Sequence, residues 1–236
     1  MLNFMGIGAQ KCGTTWLYKT LSMHPEIRFP GGKEIHFWDK HEQLIPQNYI
    51  NIFINNEYVN GDITPAYSCI SRDVIQQIYQ LYPTLPLIYI IRNPIERAWS
   101  SARMALSRAE MQANEASDQW FIDHFNSQAS LLRGDYEACI KNWRSVFPLG
   151  QLKILHFEHI KHKPVELANE CLQHIGLGNY FTKEQMPVLS EKVFSGQPLE
   201  LRDSLAKHLH NLYINKIKSL SDYLETDLNY WLENYK

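Results

Sequence analysis

Gly8, Lys11, Gly13, Thr14 and Thr15 fall close together in the stretch GIGAQKCGTTWLY, residues 6–18. Two glycines at this spacing let a backbone turn tightly and aim its N–H groups at one anion. A following helix adds its N-terminal dipole, and the two threonines add hydroxyl donors. The chemistry predicted is recognition of a phosphate-like group. In loops that hold nucleoside triphosphates, lysine directly follows the second glycine and grips the β- and γ-phosphates. Here Thr14 occupies that place and the lysine stands inside the loop, at Lys11. That position suits a short, singly bridged anhydride, with the ammonium beside its bridging oxygen. Gln10, Cys12 and Trp16 complete the loop positions expected to line the ligand, although Trp16 also lies on a helical stripe that reads as core.

A second anion site is predicted in IIRNPIERAWSSARM, residues 90–104. Arg92 ends a strand, where open α/β sheets bind ligands, and Ser100 lies about two turns into the next helix. A guanidinium and a hydroxyl from these elements can clasp one phosphate. Ionisable groups also gather in PGGKEIHFWDKHE, residues 30–42. A carboxylate there can act as general base if it reaches an acceptor hydroxyl. His36, Asp39 and His41 match no common metal-ligand spacing, and no metal site is read. His156, Glu158 and His159 read as an ordinary strand-to-loop transition.

GAQKCGTTWLY resembles the 5′-phosphosulfate loop of the sulfotransferases that use 3′-phosphoadenylyl sulfate (PAPS), and the Arg92–Ser100 stretch resembles their 3′-phosphate signature. The resemblance implies that Lys11 neutralises the leaving phosphate oxygen, with adenosine 3′,5′-bisphosphate as product and no metal required. KEIHFW is similar to the KE-x-HFF segment of family members acting on glycosaminoglycan-type sugars, with Trp38 in place of a phenylalanine. It implies Glu34 as base, while a histidine base in the small-molecule branch keeps His36 open for that role. Lys33 and His36 are implied acceptor contacts. GDITPAYSC, residues 61–69, resembles the family's TPxY segment beside the acceptor cleft and adds Asp62, Thr64 and Tyr67; Pro65 reads equally as a strand end. SEKVFSGQP, residues 190–198, falls where the family has a late loop over the adenine, giving Lys192, Phe194, Ser195 and Gly196. The resemblance runs on through GDYEACIKNWRSVFPLGQLKILHFEHI to the C-terminal DLNYW.

The elements that must position these residues follow from periodicity. LPLIYIIR, 85–92, is continuously apolar, as a strand covered on both faces is; LNFMGIG, QLKILHF (151–157) and EYVNGDIT are strands of the same kind. Helices are predicted at 14–23, 72–82, 94–107 (opened by Asn93 and Pro94, with Glu96 at N3), 135–147 and from Pro164 to Gly176. A last helical segment with a break runs from about Leu199 to Trp231. Alternation of strands and helices predicts an α/β fold: a P-loop-type central parallel sheet flanked by helices, in a single domain spanning 1–236.

With 236 residues, 44% hydrophobic and 20% charged, the chain can bury a full core. A net charge of −2 argues against binding nucleic acid or membrane surfaces through bulk positive charge. Four scattered cysteines without a CxxC pair predict a reduced, cytoplasmic setting, and neither an export signal nor a membrane span is read. The expected function is sulfuryl transfer from PAPS to an acceptor hydroxyl, with an amine as the second choice, on a polysaccharide, glycolipid or glycosylated metabolite. An ATP-dependent small-molecule kinase and a non-catalytic nucleotide- or glycan-binding module are the competing readings. Acceptor choice is expected in loops near 40–70 and 105–130.

Overall fold

The computed structural model describes residues 1–40, 44–112, 115–190 and 199–235. In chain order its main elements are β1 (Leu2–Gly8), α1 (Thr14–Ser22), β2 (Ile27–Arg28), α2 (Pro46–Ile50), β3 (Val59–Ile63), α3 (Arg72–Leu81), β4 (Leu87–Ile91) and α4 (Pro94–Arg108). They continue as α5 (Asp118–Asn126), α6 (Gln128–Gly134), α7 (Tyr136–Arg144), β5 (Leu152–His156), α8 (His159–His162), α9 (Pro164–His174), α10 (Met186–Leu189) and α11 (Asp203–Leu224). Contacts divide the chain into two compact units: Met1–Ile91 with Lys141–Val193, and Arg92–Ile140 with Phe194–Lys236.

The first unit holds a five-stranded sheet in the order β2-β3-β1-β4-β5, parallel at every pairing. All five residues of β4 are buried, which is why the sequence there shows no alternation. Gly6 pairs with Ile63 and Gly8 with Tyr89, so β1, β3 and β4 finish at one edge of the sheet. Chain reversals at that edge are where an open parallel sheet presents ligand-binding loops. Gly61 lets β3 and β1 close up, since a Cβ there would meet the Phe4 ring at 2.2 Å. Helix α3 starts at Ser71, whose hydroxyl accepts from Val74 N–H at 3.4 Å. It buries Val74, Ile75 and Ile78, the stripe read from the sequence. The Gly176 stop after α9 is confirmed by a φ of 86°.

The second unit is helical. Asn93 caps α4, its side-chain oxygen accepting from Ile95 N–H at 3.0 Å while its Nδ2 donates to Trp231 O at 2.7 Å. Arg97 is fully buried, and its Nη2 donates to Ser130 O and Oγ, both at 3.1 Å, and to Tyr213 OH at 3.3 Å. Helix α11 buries Leu205, Leu209, Tyr213, Ile217 and Leu220 along one face. It ends at Glu225, in the left-handed region, before a final turn at Asn229–Tyr235. The chain between Glu225 and Asn229 supplies the expected break.

Two features differ from the sequence expectation. Strand β2 was not foreseen, because a two-residue strand carries no periodicity. The stretch 105–130, expected as acceptor loop, contains α5 and the start of α6, capped by Ser117 and Ser127.

Candidate active site

In the first unit, β1 runs into a loop that closes with Cys12 N–H donating to Ala9 O at 3.2 Å. Lys11 has a φ of 69° and Gly13 a φ of 90°, both left-handed. Gly13 is required twice over: a Cβ there would lie 2.4 Å from Ile160 Cδ1 as well as adopting a disfavoured backbone. It occupies the N-cap of α1 and, being glycine, brings no capping side chain of its own. The N-cap residue thus leaves the first-turn N–H groups, and the positive end of the dipole, to other partners. Thr14 is buried and Thr15 half-buried at this turn. Both the donor set and the glycine-capped turn fit a phosphate-like anion. Gly8 closes β1, and Gln10 and Cys12 lie in the loop that follows it. Trp16 follows its core reading: only 3% exposed, it donates its indole N–H to Leu189 O at 2.7 Å, tying α1 to α10.

The segment 33–39 hangs on the end of β3, with Glu34 N–H donating to Ile63 O at 3.1 Å. Glu34 and His36 are left-handed, at φ 64° and 55°. Such a backbone is disfavoured for non-glycine residues and gathers at functional sites. Lys33 Nζ pairs with Glu34 Oε1. His36 stands between two carboxylates, its Nε2 3.4 Å from Glu34 Oε2 and its Nδ1 2.8 Å from Asp39 Oδ2. Glu34 is 37% exposed and His36 32%, so both reach solvent while held by partners. Below them, Trp38 is fully buried and packs against Phe37 at 4.9 Å and Tyr49 at 5.0 Å, so the aromatic character of that position is retained as packing.

Asp62, Thr64 and Tyr67, expected as acceptor contacts, are fully buried. Asp62 accepts from Tyr49 OH at 2.7 Å and from Thr64 Oγ1 at 2.8 Å. Tyr67 OH accepts from Phe37 N–H at 3.0 Å and also faces the Asp62 carboxylate. Burial raises the Asp62 carboxyl to about 6, against the pull of its hydroxyl partners and of His36. Burial also raises the Tyr49 and Tyr67 hydroxyls. In this structure the three residues bond to one another and to the 33–39 segment, with no surface left to meet a ligand.

In the second unit, Arg92 pairs with Glu96, Nη2 at 2.7 Å and Nε at 3.0 Å from Oε2. Glu96, expected at N3 of a capped helix start, is thus turned to the arginine. Ser100 is half-buried on α4. One turn further on stands Arg103, whose charge is disfavoured by burial and then by Arg92. Asp39, weighed only as a metal ligand, is instead the partner of His36. Lys192, Phe194, Ser195 and Gly196 lie outside the described residues, as does His41.

Among the described residues no group of three His, Cys, Asp or Glu side chains is arranged to hold a metal ion. No helix among them is long and apolar enough to cross a membrane. None of the four cysteines is in a disulfide.

Residues 3–228 match the protein family described as Sulfotransferase domain. Mouse heparan sulfate glucosamine 3-O-sulfotransferase 3B1 is 26% identical over 208 residues, 81% of this chain and 52% of that protein. Mouse bifunctional heparan sulfate N-deacetylase/N-sulfotransferase 3 is 27% identical over 217 residues, 84% of this chain and 25% of that protein. The chain thus spans about half, or less, of the length of these curated relatives. A crystal structure of a sulfotransferase from Alicyclobacillus acidocaldarius superposes with a TM-score of 0.75 and 26% identity, covering 98% of both chains. Mouse sulfotransferase SULT7A1, complexed with PAP, shares the fold at a TM-score of 0.54 and 14% identity, covering 79% of this chain and 62% of its own.

Proposed function

The chain belongs to the sulfotransferase domain family, and on that premise we propose that it moves a sulfuryl group from PAPS to a hydroxyl of a carbohydrate. The observation that carries this reading is the loop at Lys11: a left-handed lysine inside the glycine turn, ahead of a helix whose N-cap is a glycine. PAPS supplies the sulfuryl group and a stable leaving bisphosphate. Backbone N–H groups of the loop and of α1, with Thr14 and Thr15, would hold its 5′ end. Arg92 and Ser100 are assigned to its 3′-phosphate, with Arg92 exchanging Glu96 for the phosphate.

Glu34 takes the proton of the acceptor hydroxyl as its oxygen forms the new bond to sulfur. Lys11 meets the electron pair that stays on the departing phosphate oxygen. His36, between Glu34 and Asp39, orients the base; each neutral tautomer donates to one carboxylate, and the imidazolium donates to both. A carbohydrate acceptor is supported by the heparan sulfate enzymes among the relatives and by the KEIHFW segment. The test is transfer of labelled sulfate from PAPS to desulfated heparan-type oligosaccharides. Labelled product supports the reading. Labelling of none of these sugars, with transfer to small phenols instead, replaces the acceptor class.

A further inference from the structure

We propose that the buried Asp62–Tyr67 pair is a positioning device for the loop carrying Glu34 and His36. The inference rests on the reading of those two residues as the base and its partner. Two hydrogen bonds flank the left-handed residues: Glu34 N–H to Ile63 O, and Phe37 N–H to Tyr67 OH. The first is backbone and tolerates any side chain. The second depends on one hydroxyl, and the orientation of that hydroxyl depends on what lies beneath it.

Beneath it is the Asp62 carboxylate, at zero exposure. Tyr49 and Thr64 donate to it, and Tyr67 faces it. The negative charge of Asp62 draws the Tyr67 proton inward and leaves the oxygen lone pair outward for Phe37 N–H, which donates to it at 3.0 Å. The backbone of Tyr67 is fixed separately, its carbonyl accepting from Trp143 Nε1 at 3.3 Å. Tyr49 also clamps the loop through its ring, 5.1 Å from Phe37 and 5.0 Å from Trp38. The cluster therefore transmits its geometry to the catalytic loop without contacting the acceptor. Tyr67 and Asp62 act as positioning residues.

The test is amide hydrogen exchange on the full chain, read by mass spectrometry, for wild type, Tyr67→Phe, Tyr49→Phe and Asp62→Asn. Binding of adenosine 3′,5′-bisphosphate and steady-state transfer to a heparan-type oligosaccharide are measured alongside. In Tyr67→Phe, exchange at 33–39 should rise by about tenfold or more, with kcat falling comparably and bisphosphate affinity staying within about twofold. Tyr49→Phe keeps the ring clamp and the Phe37 acceptor, and should leave exchange at 33–39 near wild type. Unchanged exchange at 33–39 in folded Tyr67→Phe overturns the proposal. So does a bisphosphate affinity that falls in step with kcat. Should Tyr67→Phe not fold, Asp62→Asn decides on the same readout: faster exchange confined to 33–39 supports the device, and wild-type exchange overturns it. If no protein transfers sulfate, the exchange result still decides the positioning role, and only the functional reading fails.

Discussion

Nδ1 of His36 lies 2.8 Å from Oδ2 of Asp39, on the side of the imidazole away from Glu34. This contact fixes the ring plane and with it the approach of Nε2 to Glu34 Oε2, 3.4 Å away. Asp39→Asn replaces a pure acceptor by an amide that can present its donor to Nδ1 and so disturbs that arrangement. Turnover is expected to fall on the order of 10²-fold, with bisphosphate affinity intact. Steady-state kinetics with calorimetry check this; unchanged turnover would remove Asp39 from the arrangement.

Glu34→Gln keeps size and one acceptor oxygen but cannot accept the proton. Transfer should slow by about 10²–10⁴-fold while the donor nucleotide binds as before. Near-normal turnover in this variant, combined with a large loss in His36→Ala, would give the base role to His36.

Lys11→Ala removes the charge assigned to the leaving oxygen. Its effect belongs to the transition state, so kcat should drop by about 10²–10³-fold, well beyond any loss in product affinity. A fall in affinity with unchanged turnover would make Lys11 a binding residue only.

Asp62 gives the protein a pH dependence of defined sign. Its carboxyl titrates near 3.8 when unperturbed and at about 6 when buried, so the folded state holds the proton more tightly. Its contribution to stability is full at acid pH and is lost as pH rises through about 6, by about 3 kcal/mol in all. Asp62→Asn does not titrate. The stability of wild type relative to Asp62→Asn should therefore fall between about pH 4 and pH 7 in denaturant titrations. A difference that stays constant across that range would contradict the buried, ionisable character of Asp62.

The parts legible in the sequence were those written by local rules. A glycine turn followed by a helix, the apolar run of β4, and Asn93–Pro94 at the head of α4 each declare themselves within a few residues. Helices α5 and α6 were passed over because they are short, nine and seven residues, although Phe121 and Phe125 stand one helical turn apart and Ser117 and Ser127 marked both starts as caps, accepting from Trp120 and Ser130 N–H. The role of Asp62 lay beyond local rules. A polar residue at a strand end faces a cleft or an interior depending on what packs over it, and Tyr49 and Phe37 are supplied from elsewhere in the chain. The pairing of His36 with Asp39 was visible as a spacing, but its meaning depends on the left-handed turn at His36.

The proposed function assigns the displaced lysine to a loop for a sulfuryl donor and not for a nucleoside triphosphate. Calorimetric titration of the protein with adenosine 3′,5′-bisphosphate, and separately with ATP and magnesium, decides between the two. Saturable binding of the bisphosphate without added metal and little heat from ATP are expected. Tight, magnesium-dependent ATP binding with no response to the bisphosphate would overturn the assignment.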